Sequence, residues 1–177
     1  MKQLFEIDLK DYKETDTVFY RPSARAIIIK GDKIALVYSN EEKYYKFPRG
    51  GIHNDEDKKA ALIREVREEV GLVVVKESIR EFGSVLRRQK STVKEGEIFE
   101  QINYYYFCDV LDEEVSQELD AYEDEAGFEL RIVNIDEAIA VNAVYSSDDL
   151  FNDVMIKREK RVLELIRQEW ETYGEKV

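Results

Sequence analysis

The chain has 177 residues and carries 27 Lys+Arg against 39 Asp+Glu, a formal charge of −12 with a sequence pI near 4.7. That length suits one domain with a sizeable core, and a composition 44% apolar and 11% aromatic excludes global disorder. The acidity excludes a general nucleic-acid binder, which needs Lys and Arg against phosphates, and a protein that adheres to anionic membrane.

Ten of the acids lie between Asp109 and Leu130, a segment without Lys or Arg, and the remainder is nearly balanced at 27 basic against 29 acidic residues. This run reads as a solvated loop or strand extension. Cys108 is the single cysteine, so no intrachain disulfide can form. Residues 1–8 lack the apolar stretch of a signal peptide, and no run of 18 apolar residues exists. A cytoplasmic protein is expected.

In chain order, residues 1–23 are polar with scattered aromatics and read as an N-terminal extension. Ala24–Ile29 and Lys33–Tyr38 are β-rich runs, and Gly31-Asp32 between them predicts a hairpin turn. Tyr44–Phe47 is extended before Pro48. Residues 56–70 read as a helix capped by Asn54, with Leu62, Ile63, Val66 and Val70 on a buried face and Gly71 at its end. Strands are expected at Val73–Val75, Phe82–Arg87, Ile98–Val110 and Phe128–Ile135. Asp136–Val144 predicts a short helix. Asp148–Tyr173 predicts a long one whose apolar stripe packs in the monomer or forms a homodimer interface. Strands and helices without strict alternation indicate an α/β (α+β) sandwich, with helices on a mixed β-sheet.

The stretch from Gly50 to Leu72 carries the chemistry. At 100° per residue, Glu65, Glu68 and Glu69 fall within roughly 100° of one another, displaced from the apolar stripe. Carboxylates this close raise each other's pKa unless a cation sits among them. All-oxygen ligands suit a hard divalent ion, Mg2+ or Mn2+, rather than zinc. Gly50-Gly51 allows close backbone approach before a helix start that offers N–H groups to an anion. Together these features describe a polyphosphate site; a solvated, salt-bridged helix is the plainer alternative.

The spacing decides between them. Gly50, Glu56 and the run Arg64-Glu65-Val66-Arg67-Glu68-Glu69-Val70-Gly71-Leu72 resemble the Nudix box without a departure over 23 residues. A chance match is of the order of once in a billion start positions. The resemblance implies one Nudix-type domain over 1–177, a mixed sheet flanked by helices. The activity it implies is hydrolysis of a pyrophosphate bond in a nucleoside diphosphate linked to another moiety, with Mg2+ or Mn2+. By position, it implies that Glu65, Glu68 and Glu69 bind metal, that Arg64 orients them, that Glu56 assists near the metal, and that Gly50 and Gly51 shape the site. It also implies a further acid outside the box, with Glu97, Glu100, Glu123 and Glu125 as candidates and Glu125 preferred. The partner expected is a small nucleotide-type pyrophosphate. A domain that binds such a nucleotide as a sensor without turnover is the alternative.

Arg49, Arg25, Arg87, Arg88 and Lys90 are candidates to meet substrate phosphates, and Phe19, Tyr20, Tyr44 and Tyr45 to stack on a base. His53, the single histidine, reads as a loop residue, and Cys108 as a buried apolar one.

Overall fold

A computed structural model describes residues 1–119 and 121–174, less the side chains of 113, 114 and 171–174. The strands are β1 (Gln3–Asp8), β2 (Thr17–Tyr20), β3 (Ser23–Lys30), β4 (Lys33–Ser39), β5 (Tyr45–Lys46), β6 (Arg49–Gly51), β7 (Leu72–Val74), β8 (Arg80–Lys90), β9 (Glu97–Phe107), β10 (Val110–Glu114) and β11 (Phe128–Val133). The helices are α1 (Lys58–Val70), α2 (Ala121–Glu125), α3 (Ile135–Val144) and α4 (Leu150–Gly174). They fall into two compact units, Met1–Ile28 with Pro48–Glu118, and Ile29–Phe47 with Leu119–Val177. No helix among the described residues is long and apolar enough to cross a membrane.

In the first unit the strands lie in the order β1-β8-β9-β3. β8 and β9 pair antiparallel along eleven residues each, while β1 on β8 and β3 on β9 are parallel. β2 continues the line of β3 along β9, and β6 pairs antiparallel with the start of β3. Helix α1 packs on β6 and β7, burying Ala61, Leu62, Val66 and Val70 as its period requires, with Ile63 at the margin. In the second unit β4 pairs antiparallel with β11 and β5. Gly31, at φ 62°, makes the turn that leads into β4. Helix α4 buries Val154, Met155, Val162, Leu163 and Ile166, whereas Phe151 and Trp170 are half-buried. Two helical side chains hold β5: Asn142 bonds both the N–H and the C=O of Tyr45 at 2.8 Å, and Glu159 accepts the Phe47 N–H at 2.9 Å.

Three expectations change. The N-terminal stretch is not a bare extension, because β1 and β2 are built into the sheet. Helix α1 starts two residues late, and its cap is Asp57, not Asn54. Asp55 sits in the left-handed region at φ 65°, and the Asp57 carboxylate accepts the N–H groups of Lys59 and Ala60 at 3.0 and 3.1 Å. The expected strand Ile98–Val110 divides at Cys108. There the backbone leaves β8: the Asp109 N–H donates to Ser78 Oγ, its carbonyl accepts from Val75, and β10 goes on to pair with β7. In the acidic run, β10 and α2 are regular, while Asp120 and the side chains of Glu113 and Glu114 lie outside the described residues.

Candidate active site

β6 presents the glycine loop. Its register on β3 sets Gly51 opposite Ser23, Gly50 opposite Ala24 and Arg49 opposite Arg25. Gly50 is where the backbone meets the helix: a Cβ there would stand 1.6 Å from the carboxyl carbon of Glu65, so no other residue fits without moving that carboxylate. After the loop, the chain turns back through His53. His53 is exposed and acts through its backbone, donating N–H to Glu56 Oε2 at 2.9 Å and accepting the Glu56 N–H at 3.1 Å.

Arg64 is the hub. Its Nε and Nη2 grip the two oxygens of Glu56 at 2.9 and 3.0 Å, a bidentate pair. Nη1 donates to Glu65 at 2.6 Å and to Glu68 at 3.1 Å, and Nη2 also reaches the Gly51 carbonyl at 3.0 Å. One guanidinium thus ties the loop to three carboxylates, one of them N-terminal to the helix. The electrostatics follow. The Arg64 hydrogen bonds hold Glu56 well down, at about 2, with the His53 N–H helping against the cost of burial. Glu65 moves the other way: burial raises it, and Arg64 only partly opposes that.

Glu69 is held differently. It is 2% exposed, and its Oε2 accepts the backbone N–H of Arg49 at 2.7 Å. The helix end is closed by the segment that follows β10: Gln117 Nε2 donates to the Glu69 carbonyl and the Glu118 N–H to that of Glu68, both at 2.7 Å. Gly71, at φ 67°, makes the stop, and a Cβ on it would meet the Val115 carbonyl oxygen at 2.2 Å. The donor set Glu65, Glu68 and Glu69 is all carboxylate oxygen, and two of the three already share the Arg64 guanidinium, so it fits a hard divalent ion by chemistry. Among the described residues no three such groups converge on one point in this state.

The other sequence candidates are spread more widely. Arg25 is buried on β3 with Nε on Asn103 Oδ1 at 2.9 Å. Arg88 is ion-paired to Glu100 at 2.8 Å and lies over the Tyr12 ring. Glu97 pairs with Lys94. Glu123 and Glu125 belong to α2 in the second unit, where Glu125 is exposed. Cys108 is buried, and burial pushes its thiol up to about 12. Sequence reading missed the Arg49 N–H that holds Glu69, a backbone contact no side-chain pattern shows. It also missed Gln89, Gln101 and Asn103, which form a buried polar row with the candidate Arg87 and whose i, i+2 spacing was the available signal.

A family model described as the NUDIX domain matches residues 19–154. The chain is 29% identical over 119 residues to Nudix hydrolase 25 of Arabidopsis thaliana, covering 62% of this chain and 68% of that one. Among solved structures, a NUDIX hydrolase from Nitrosomonas europaea aligns with a TM-score of 0.52 at 19% identity, over 79% of this chain and 89% of its own. A protein titled ADP compounds hydrolase aligns at 0.54 and 17%, over 87% and 75%. At such identities these two structures speak for the fold: a mixed β-sheet with flanking helices.

Proposed function

This chain belongs to the Nudix domain family, and we propose that it hydrolyses a pyrophosphate bond in a nucleoside diphosphate linked to another moiety, with Mg2+ or Mn2+ held by Glu65, Glu68 and Glu69. The observation that carries this reading is the Arg64 hub, which joins Glu56, Glu65 and Glu68 to the Gly51 carbonyl. A bound divalent ion supplies charge neutralisation on phosphate oxygens and a water of lowered pKa. The chain's residues supply the geometry. Arg64 keeps two carboxylates of α1 against the loop, and Glu56 stays ionised so that Arg64 stays in place. The Arg49 N–H aims Glu69. Arg49 and Arg25 are the proposed contacts for substrate phosphates, with Arg88 a third from the sequence. Glu125 stays the proposed general base outside the box, on sequence grounds. The expected location is the cytoplasm, in keeping with a single cysteine.

The test is phosphate release across a panel of nucleoside diphosphate derivatives with Mg2+ or Mn2+. Glu69→Gln and Glu68→Gln should each lower turnover by about a hundredfold or more while the melting temperature holds. Wild-type turnover in both variants, or no metal-dependent release from any compound, overturns the reading.

A further inference from the structure

The inner face of β8 and β9 carries side chains that a packing layer does not call for. Arg87, Gln89, Gln101 and Asn103 sit at alternate positions on two paired strands, so they share one side of the sheet, and none is more than 5% exposed. Most of this polarity is spent internally: Asn103 Oδ1 accepts from Ser23 and Arg25, and its Nδ2 donates to the Val85 carbonyl. Gln89 is different. Its Oε1 accepts from Arg87 Nε at 2.9 Å, which fixes which end of the amide is oxygen. Its Nε2 is fully buried and has no hydrogen-bond partner among the described residues. A buried donor left open is costly, so such groups are rare in native folds and point to a ligand or solvent partner.

The neighbours say what kind. Gln89 faces Phe99 in register, and Phe99 faces Phe19 on β2, so the three form one row across three strands. The Phe19 and Phe99 rings are 6.3 Å apart, and Phe19 is 44% exposed, so the row runs from an aromatic edge open to solvent to an open amide donor. Along β9 this row is four residues from Asn103, which lies beside Ser23 and, across β3, Gly51. That is roughly 13 Å at strand rise, the reach of one nucleotide from diphosphate to base.

We propose that this row binds the base of the substrate, and that Gln89 selects a base with a keto oxygen over one with an exocyclic amine at the same edge. The inference rests on the nucleotide reading above and names its base class. Gln89 Nε2 can donate to a keto oxygen. Against an amine, donor faces donor, and the amide cannot turn over because Arg87 occupies its oxygen. The aromatic edge favours a ring over a bare anion, since bases stack on Phe whatever their edges. Arg87 and Gln89 are out of reach of solvent in this state, so the base gains them only by opening the face, and its affinity is lowered by that cost.

The test is calorimetric titration of the full chain with IMP and AMP, which differ at this edge. IMP should bind at least about tenfold tighter, as expected for one satisfied against one opposed hydrogen bond. Gln89→Leu should bring the two within about threefold, at some cost in melting temperature because the buried Arg87 Nε loses its acceptor. Gln89→Glu, which keeps the Arg87 contact and turns the free end into an acceptor, should favour AMP. Equal or reversed preference in the wild type, no binding of either nucleotide at millimolar concentration, or an unchanged preference in both variants overturns the proposal. Binding is read apart from turnover: a keto preference without hydrolysis sinks the enzymatic reading alone, and hydrolysis without a preference sinks this one alone.

Discussion

The segment Gly50–Gly71 and the inner face of β8 and β9 are both polar, and they handle their charge in opposite ways. In the first, the three carboxylates lie within eight residues of the cation they share, and all stay partly open, with side-chain exposures of 17–39%. In the second, the polar groups come from strands paired at long range and are sealed to within a few per cent. Charge balanced locally needs little help from the fold and can remain beside solvent, where an ion and a phosphate can enter. Polarity balanced across strands exists only once the sheet has formed.

The strongest way to break the first region is to remove its hub. Arg64→Ala leaves Glu56, Glu65 and Glu68 without their shared partner, two of them more than four-fifths buried. Stability should fall by about 3 kcal/mol, the scale for stripping one partner from a semi-buried ion cluster. Arg64→Lys should recover only part of it, since an ammonium cannot grip Glu56 with two nitrogens and still reach the others. Urea unfolding of the three proteins reads both effects. Full recovery by Lys would mean that charge alone, not the fork, holds the site.

Next is the contact between loop and helix. Gly50→Ala puts a methyl where the Glu65 carboxylate stands, so that side chain or the loop must move. The expected cost is about 2 kcal/mol for overpacking, with a larger proportional loss in turnover than in stability. Gly51→Ala is the control, because nothing lies within 4 Å of a Cβ there. Equal effects at the two glycines would dissolve the distinction between them.

These two regions also divide what the sequence discloses from what it hides. Glu65, Glu68 and Glu69 lie at helical spacing, so the face they share was legible from angles, and the resemblance to the box named their roles and that of Arg64. The start of α1 was misread because Asn54 and Asp57 are both good caps, and only the left-handed Asp55 shows which one the backbone selects. β1 and β2 were missed because their pairing energy comes from β8 and β9, about eighty residues away, and not from their own polar pattern. Gln89 escaped notice and Arg87 was one basic candidate among several, because alternation tells which residues share a face but not which face is buried.

A pH scan sharpens the first region further. Glu56 in the folded chain titrates at about 2 against an ordinary 4.5, because Arg64 donates to its ionised form. A depressed carboxylate contributes stability that is fully present above pH 4.5 and is lost as pH falls toward 2. Glu56→Gln removes that contribution, so the variant's melting temperature should decline less steeply than wild type between pH 4.5 and 2. Parallel curves would mean that Glu56 is not held by Arg64 in solution.

The smallest effect belongs to Arg88, one strand position from Arg87 and on the other side of β8. Its pair with Glu100 is 36% and 25% exposed, and its remaining contact is the face of Tyr12. An exposed pair of this kind contributes less than about 1 kcal/mol and weakens with salt. Arg88→Ala should therefore lower stability by no more than that, with the difference shrinking in high salt, and should raise KM several-fold if Arg88 meets a substrate phosphate as proposed. An unchanged KM would take Arg88 off the substrate and leave the pair with Glu100 as its role. The contrast with Arg87 is then complete: the same side chain on consecutive residues is an outer clasp at one position and part of a sealed polar floor at the next, and strand alternation alone sets the difference.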